Sequence, residues 1–214
     1  MKIFSENLKV RVRTEEELNI RKYEFLKICK ILDRLNIKYY IQDGTLLGAI
    51  RHNHFIPWDW DVEISVFSEE VIDKLDLLIS EIKLSGFMIE KYYKDFSKLK
   101  IDFVGKLAQD ITGYTIKGWN HDKQKKIFWR RTYKIPDHFI LNMKKIYFFD
   151  RHHFAPFPPE KYLEYQYGDW KTPLQSSNKL VYMRKEYSGK SALNFYYKKI
   201  KNKLIRILSK LSNK

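Results

Sequence analysis

The 214-residue sequence predicts an α+β fold, α/β-like in its first half, in which a mixed β-sheet is flanked by helices. Three observations predict it. Apolar residues recur at helical spacing over 14–37 and again over 68–87. Short segments at 38–42, 61–67 and in "LKIDFVGKL" alternate with period two. Helices and strands alternate early and strands dominate later, an order that places helices on the faces of one sheet.

The first helix opens at Thr14, which forms a capping box with Glu17, and carries Leu18, Phe25, Leu26, Cys29, Ile31, Leu32 and Leu35 along an apolar stripe. "KYYIQ" is a short strand. "DGTLLGAIRHN" turns into a second helix, with Gly44 where the backbone comes close to a neighbour. "DVEISVF" (61–67) is a strand. "SEEVIDKLDLLISEIKLSGF" (68–87) reads as one helix from Ser68 to a stop at Gly86. "FMIEKYY", "LKIDFVGKL", "GYTIKGW" and "KKIFWRRTYKI" supply further strands. The rest of the body is loop-rich around a short helix at 159–167.

Composition limits the function classes. Hydrophobic residues make up 44%, enough for a folded core. The single Cys29 excludes an internal disulfide framework and a cysteine-based zinc site. No apolar run in the N-terminal segment is long enough for a signal peptide or spanning helix, so a cytoplasmic protein is expected. The net charge is +15, of which +10 falls in residues 179–214. There "SALNFYYKKIKNKLIRILSKLSNK" places Leu193, Ile200, Leu204 and Leu211 on one helical face and lysines around the other. Residues 190–214 therefore form a basic amphipathic helix suited to an anionic membrane surface, appended to a catalytic domain at 1–189. A helix docked on the body is the plain alternative, and nucleic acid is disfavoured as a partner.

The chemistry lies in "IQDGTLLGAIRHNHFIPWDWDVEISV", residues 41–66. Alternate strand residues point the same way, so Asp59, Asp61 and Glu63 share a face if the strand begins early enough. Such carboxylates repel unless a cation intervenes, and Mg²⁺ held by carboxylates and phosphate oxygens is the expected partner, with Mn²⁺ its substitute. Two acids alternating on a strand, after a glycine–small pair at a helix N-terminus, resemble the nucleotidyltransferase superfamily pattern. The pair is Gly44–Thr45, whose amides can cradle phosphate. Such folds add a third carboxylate from a neighbouring strand, and Asp102 in "KLKIDFVG" is the candidate.

A narrower resemblance follows. "DGTLLGAIRHNHFIPWDWDVEISV" resembles the signature of the LicD/fukutin family, and "FPPEKYLEYQYGDWKTP" resembles that family's second landmark; together they bracket residues 36–173. The chain departs from the pattern at Glu63, where the family has Asp. The resemblance implies a metal-dependent transferase that moves a phospho-alcohol group, phosphocholine or an alditol phosphate such as ribitol or glycerol phosphate. The donor is CDP-activated, and the acceptor is a hydroxyl of a surface glycan, lipid-linked in some settings: capsule, teichoic acid or lipopolysaccharide. By the same analogy Asp59, Asp61, Glu63 and Asp102 are the metal-ligand candidates, and Asp59, Asp61 and Asp102 are catalytic. Asp102 is left open between ligand and acceptor base.

Gly44, Thr45, Arg51 and His52 are the nucleotide-binding candidates, the arginine for its bidentate grip on phosphate. Asp43 is expected to cap the Gly44 turn. Of Trp58 and Trp60, one is expected in the core, with stacking on cytosine the rival role. Arg130 and Arg131 suit either a pyrophosphate or a basic strand edge. His152 and His153 lack further partners at zinc-ligand spacing, and Tyr167–Trp170 are expected to close the cleft. Against this stand a metal-dependent D-x-D glycosyltransferase, which would need a longer nucleotide-binding unit before Asp59, and a non-catalytic basic binding or assembly protein, which leaves the acidic strand unexplained. The inner membrane face is the expected location.

Overall fold

A computed structural model of the chain describes residues 11–105 and 112–175. The helix expected at 190–214, and with it the expected membrane contact, lies outside the described residues. Helix α1 (Glu15–Arg34) begins at the capping box: Thr14 accepts from the Glu17 amide, and the Glu17 side chain accepts from the Thr14 amide. Strand β1 (Tyr39–Ile41), helix α2 (Asp43–His52) and strand β2 (Asp61–Phe67) follow.

The segment expected as one helix is broken. It divides into α3 (Ser68–Val71), a 3₁₀ turn (Ile72–Lys74) and α4 (Leu75–Leu84), with Gly86 at φ +89 beyond the end. Ser68 does not cap: its side chain is buried, and Phe67 occupies the cap position without a side-chain bond. Burial of Val71, Leu75, Leu78 and Ile82 overrides the uniform spacing, and the 3₁₀ turn brings both short helices onto the sheet.

Strands β3 (Phe87–Tyr93), β4 (Lys100–Gly105) and β5 (Gly113–Asp122) are as expected. "KKIFWRRTYKI" is a hairpin, β6 (Ile127–Arg130) and β7 (Tyr133–Pro136), rather than one strand. The stretch read as loop holds helix α5 (Asp137–Leu141) and a second hairpin, β8 (Lys144–Phe148) and β9 (Arg151–Ala155), before α6 (Pro159–Tyr167). The hairpin escaped sequence reading for a physical reason. Its turn residues Phe149 and Asp150 both lie at positive φ, +48 and +64, a task usually given to Asn or Gly. The buried Phe149 ring packs on Phe25 and Phe55.

The sheet runs β3-β4-β5-β2-β1-β9-β8, with β6 and β7 extending from β5. β2 pairs parallel with β5 and β1 parallel with β9, and the other pairs are antiparallel. On the back face Val62, Tyr114 and Phe103 align across β2, β5 and β4 beneath α1, where Tyr114 donates to Glu24 at 2.8 Å. The other face is left for Asp61, Glu63, Thr115 and Asp102.

Phe25, fully buried on α1, holds one end of the core, touching Phe55, Phe148, Phe149 and His153. His153 is no zinc ligand here: its Nε2 meets the Phe148 carbonyl at 3.1 Å, and burial lowers its pKa to about 4. Cys29 is buried as expected, its thiol pushed up to about 12 by burial. Replacing Phe25 with alanine removes the ring that four others pack against, and is expected to cost about 3–5 kcal/mol in chemical denaturation.

Candidate functional site

The site forms where the first turn of α2 meets the entry to β2. The loop before β2 is pinned from behind by α1. Arg21, wholly buried, donates from Nη2 to the Asp59 carbonyl at 2.8 Å and to the Trp60 carbonyl at 3.4 Å. Thr112 Oγ1 donates to the same Trp60 carbonyl at 2.9 Å, and Arg13 Nη1 to the Pro57 carbonyl at 3.3 Å. With its backbone held, Asp59 turns its carboxylate onto Gly44. A Cβ at residue 44 would stand 2.1 Å from Asp59 Oδ2, so the turn accepts no side chain there. Thr45 ties helix to strand, its hydroxyl accepting from the Glu63 amide at 3.0 Å.

Asp59, Asp61 and Glu63 are brought together. Burial raises the Asp59 carboxyl to about 7, with repulsion from Asp61 and Glu63 adding to it and the Arg21 charge opposing it. Strand β2 begins at Asp61, so Asp59 joins the patch from the loop rather than through the strand's alternation. The neighbouring register brings Asp102 onto the same face: Glu63 lies opposite Thr115, and Thr115 opposite Asp102. Asp102 sits two strands from Glu63, about 10 Å by strand spacing. It accepts from Thr115 Oγ1 at 2.8 Å and pairs with Lys100 at 2.6 Å.

Two charged residues that sequence reasoning passed over, Lys117 and the Arg21 already described, complete the site. Lys117 on β5 pairs with Glu63 and, at 3.3 Å, with Asp43 Oδ2. Burial works to lower the ammonium's pKa, but Glu63 and Asp43 outweigh it and hold the group charged. Asp43, expected to cap a turn with metal binding as the rival role, sits at φ +54 with its carboxylate held by Lys117, by Gln42 at 3.2 Å and by the Tyr162 hydroxyl at 3.4 Å. Burial pushes its carboxyl up while Lys117 pulls the other way. Both residues left a signal: a lone lysine in the apolar strand "GYTIKGW", and Arg21 spaced between Leu18 and Phe25 on the buried stripe of α1.

The remaining candidates are placed as follows. Gly44 and Thr45 form the first turn of α2, whose cap residue Gln42 offers it no side-chain bond. Arg51 and His52 lie in the last turn of that helix: Arg51 Nε donates to His52 Nε2 at 2.8 Å, and Nη1 to the Trp170 carbonyl at 3.4 Å. Arg51 thus ties α2 to the segment after α6, which carries the second landmark. Neither tryptophan beside Asp59 is a core residue, and Trp60 is 50% exposed with its indole against Gly113. Arg130 is buried, with Nε on the Leu99 carbonyl at 3.4 Å.

The patch suits a hard divalent cation. Its donors are all carboxylate oxygens, with Asp59 on a loop fixed from behind and Asp61 opening the strand that follows it. Among the described residues no group of three or more acidic, histidine or cysteine side chains converges as a cage. Two protein carboxylates completed by water and substrate phosphate are the usual way Mg²⁺ is held.

A carboxylate patch beside a glycine turn, on a mixed sheet flanked by helices, defines a nucleotidyltransferase-type fold. The family model described as LicD/FKTN/FKRP, nucleotidyltransferase domain, matches residues 36–157. The chain belongs to this family. It is 27% identical over 143 residues to the Homo sapiens ribitol 5-phosphate transferase FKRP, which covers 64% of this chain and 29% of that protein. It is 41% identical over 64 residues to the Haemophilus influenzae lipopolysaccharide cholinephosphotransferase LicD, covering 30% of this chain and 23% of that one. An uncharacterised Rickettsia prowazekii protein, RP689, is 30% identical over 171 residues, 76% of this chain and 59% of its own length. The chain thus spans less than two thirds of the length of each of these relatives. A lincomycin-bound lincosamide antibiotic adenylyltransferase, LnuA, shares 11% identity at a TM-score of 0.45, over 68% of this chain and 82% of that one. No helix among the described residues is long and apolar enough to cross a membrane.

Two predictions follow from this geometry. Lys117→Met leaves Asp43 and Glu63 buried without their cation, and is expected to cost about 3–5 kcal/mol in denaturant titration. The Asp59 carboxyl is raised when folded, so its contribution to stability is full below about pH 4 and is lost as pH rises through about 7. In a metal chelator, the melting temperature is expected to fall from pH 6 to pH 8, and Asp59→Asn to flatten that slope.

Proposed function

We propose that this chain transfers a phospho-alcohol group, such as phosphocholine or ribitol or glycerol phosphate, from a CDP-activated donor to a glycan hydroxyl. The observation that supports the reading most directly is the crowding of Asp59, Asp61 and Glu63 at the first turn of α2, where Gly44 leaves no room for a side chain. Asp59 and Asp61 would hold Mg²⁺ or Mn²⁺, with Glu63 beside them. Bound there, the cation would neutralise charge on the transferring phosphate. The amides of Gly44 and Thr45, in the first turn of α2, would orient the donor's phosphates.

The acceptor oxygen attacks phosphorus in line. The new P–O bond forms as the bond to CMP breaks, and CMP leaves with the electron pair. We assign the proton of the attacking hydroxyl to Asp102, which lies on the same face two strands from Glu63. Lys117 keeps Glu63 and Asp43 in place while the donor binds. Family membership supports the phospho-alcohol chemistry; the CDP donor, the cation and these residue roles are our assignment.

The deciding experiment incubates the chain with CDP-choline, CDP-ribitol or CDP-glycerol and an acceptor glycan, with Mg²⁺ and without, and measures CMP release. Release is expected to need the cation and to fall by at least about 10²-fold in Asp61→Asn, of the order seen when one charge-stabilising group is lost. Calorimetric cation affinity is expected to rise with pH up to about 7 and then level, since the cation displaces the Asp59 proton. No binding of any cytidine nucleotide by the folded chain would overturn the donor assignment.

A further inference from the structure

The functional face does not end at the carboxylates. Asp102 lies opposite Lys91 on the edge strand β3, so the row Glu63, Thr115, Asp102, Lys91 crosses four strands. The next row on the same face runs Ser65, Lys117, Lys100, Tyr93. At about 4.8 Å per strand, Lys91 stands roughly 14 Å from Glu63.

Lys91 Nζ lies 4.9 Å from the Tyr93 ring centre and Arg131 Cζ lies 5.1 Å from it. Lys91 first, and Arg131 after it, draw the pKa of the Tyr93 hydroxyl below its usual value. Nearby cations are matched by acids: Lys94 by Asp76, Lys98 by Asp95 and Lys100 by Asp102. Among the described residues no carboxylate pairs with Lys91 or Arg131. Two cations gathered on one phenol ring, with no carboxylate partner among the described residues, form a site for an anion.

The backbone also departs from regularity to build this group. The β3–β4 register shifts between Ile89 and Lys91, a bulge that re-aims the strand's side chains. Arg131 opens the two-residue turn of the β6–β7 hairpin at φ +53, where an L-residue is strained and glycine would be at ease. Its amide is fixed to the Ser97 carbonyl at 3.0 Å, which brings this turn to the β3–β4 connection.

We propose that Lys91, Tyr93 and Arg131 form a subsite for an anionic group, phosphate or carboxylate, carried by the acceptor glycan. The assignment of this anion to an acceptor rests on the transferase reading above. The subsite shares the face of Asp102. It also lies beyond the reach of a diphosphate whose reacting phosphorus is at the carboxylates, so the donor does not fill it. The acceptor then crosses the sheet from Asp102 to the β3 edge.

The test measures binding, independently of turnover. The probes are oligo(glycerol phosphate), tetragalacturonate, uncharged maltotetraose and a single-stranded DNA oligomer of matched charge. The proteins are the full chain, Lys91→Gln, Arg131→Gly and Asp61→Asn. At least one anionic glycan probe is expected to bind, weakened about fivefold by each cation removed at low salt. Preference for the first probe names a phosphodiester, and preference for the second a uronate. Maltotetraose is expected not to bind. Asp61→Asn is expected to bind like the unaltered chain, which separates this subsite from the metal chemistry. Arg131→Gly relieves the strained φ, so its melting temperature is expected to hold or rise while binding falls. Equal binding by the unaltered chain and both cation variants would overturn the proposal, as would DNA binding lost in step with the glycan probes.

Discussion

Four carboxylates, Asp43, Asp59, Asp61 and Glu63, are drawn into one patch, and the rest of the structure is arranged to tolerate their repulsion. Lys117 neutralises two of them from the adjacent strand. Arg21 works from the opposite side through the carbonyls of Asp59 and Trp60, where its own burial lowers the guanidinium to about 10. Burial does most to raise the Asp59 carboxyl, and repulsion from Asp61 and Glu63 adds to it.

The same constraint explains the backbone around α2. Asp43 accepts a left-handed φ so that its carboxylate can meet Lys117, Gln42 and Tyr162 at once. Gly44 gives up its side chain to Asp59. One turn later, a Cβ on Gly48 would stand 2.4 Å from the His54 carbonyl, so the loop returning toward Asp59 can lie directly on the helix. Strain and close approach in ten residues are offset by the packing of α1 and by the long β2–β5 pairing beneath. A family signature of this length is the linear trace of these contacts.

Much of the fold was legible because local rules and tertiary demands agree in it. The α1 capping box, the strand 61–67 and the helix 159–167 stand where spacing and caps put them. The helix at 68–87 was misread as continuous because periodicity does not register a 3₁₀ turn made to seat two short helices on one sheet. The β8–β9 hairpin was missed because Phe149 occupies a turn position for the sake of its buried ring, against its local preference. The site divides in the same way. Asp59, Asp61, Glu63 and Gly44 are neighbours along the chain and were read directly, whereas Lys117 and Arg21 reach them from 54 and 38 residues away.

The sequence by itself determined the acidic strand, the glycine turn before it and the family to which both belong, because those features are local and their chemistry follows from residue type and spacing. Tertiary structure decided which cation meets which carboxylate. It decided that Asp102 stands across β5 rather than beside Asp61, and that Lys91, Tyr93 and Arg131 share its face. Strand order and register set these relations. Both depend on the core that α1, β1 and β9 close between them, and no stretch of neighbouring residues encodes that core.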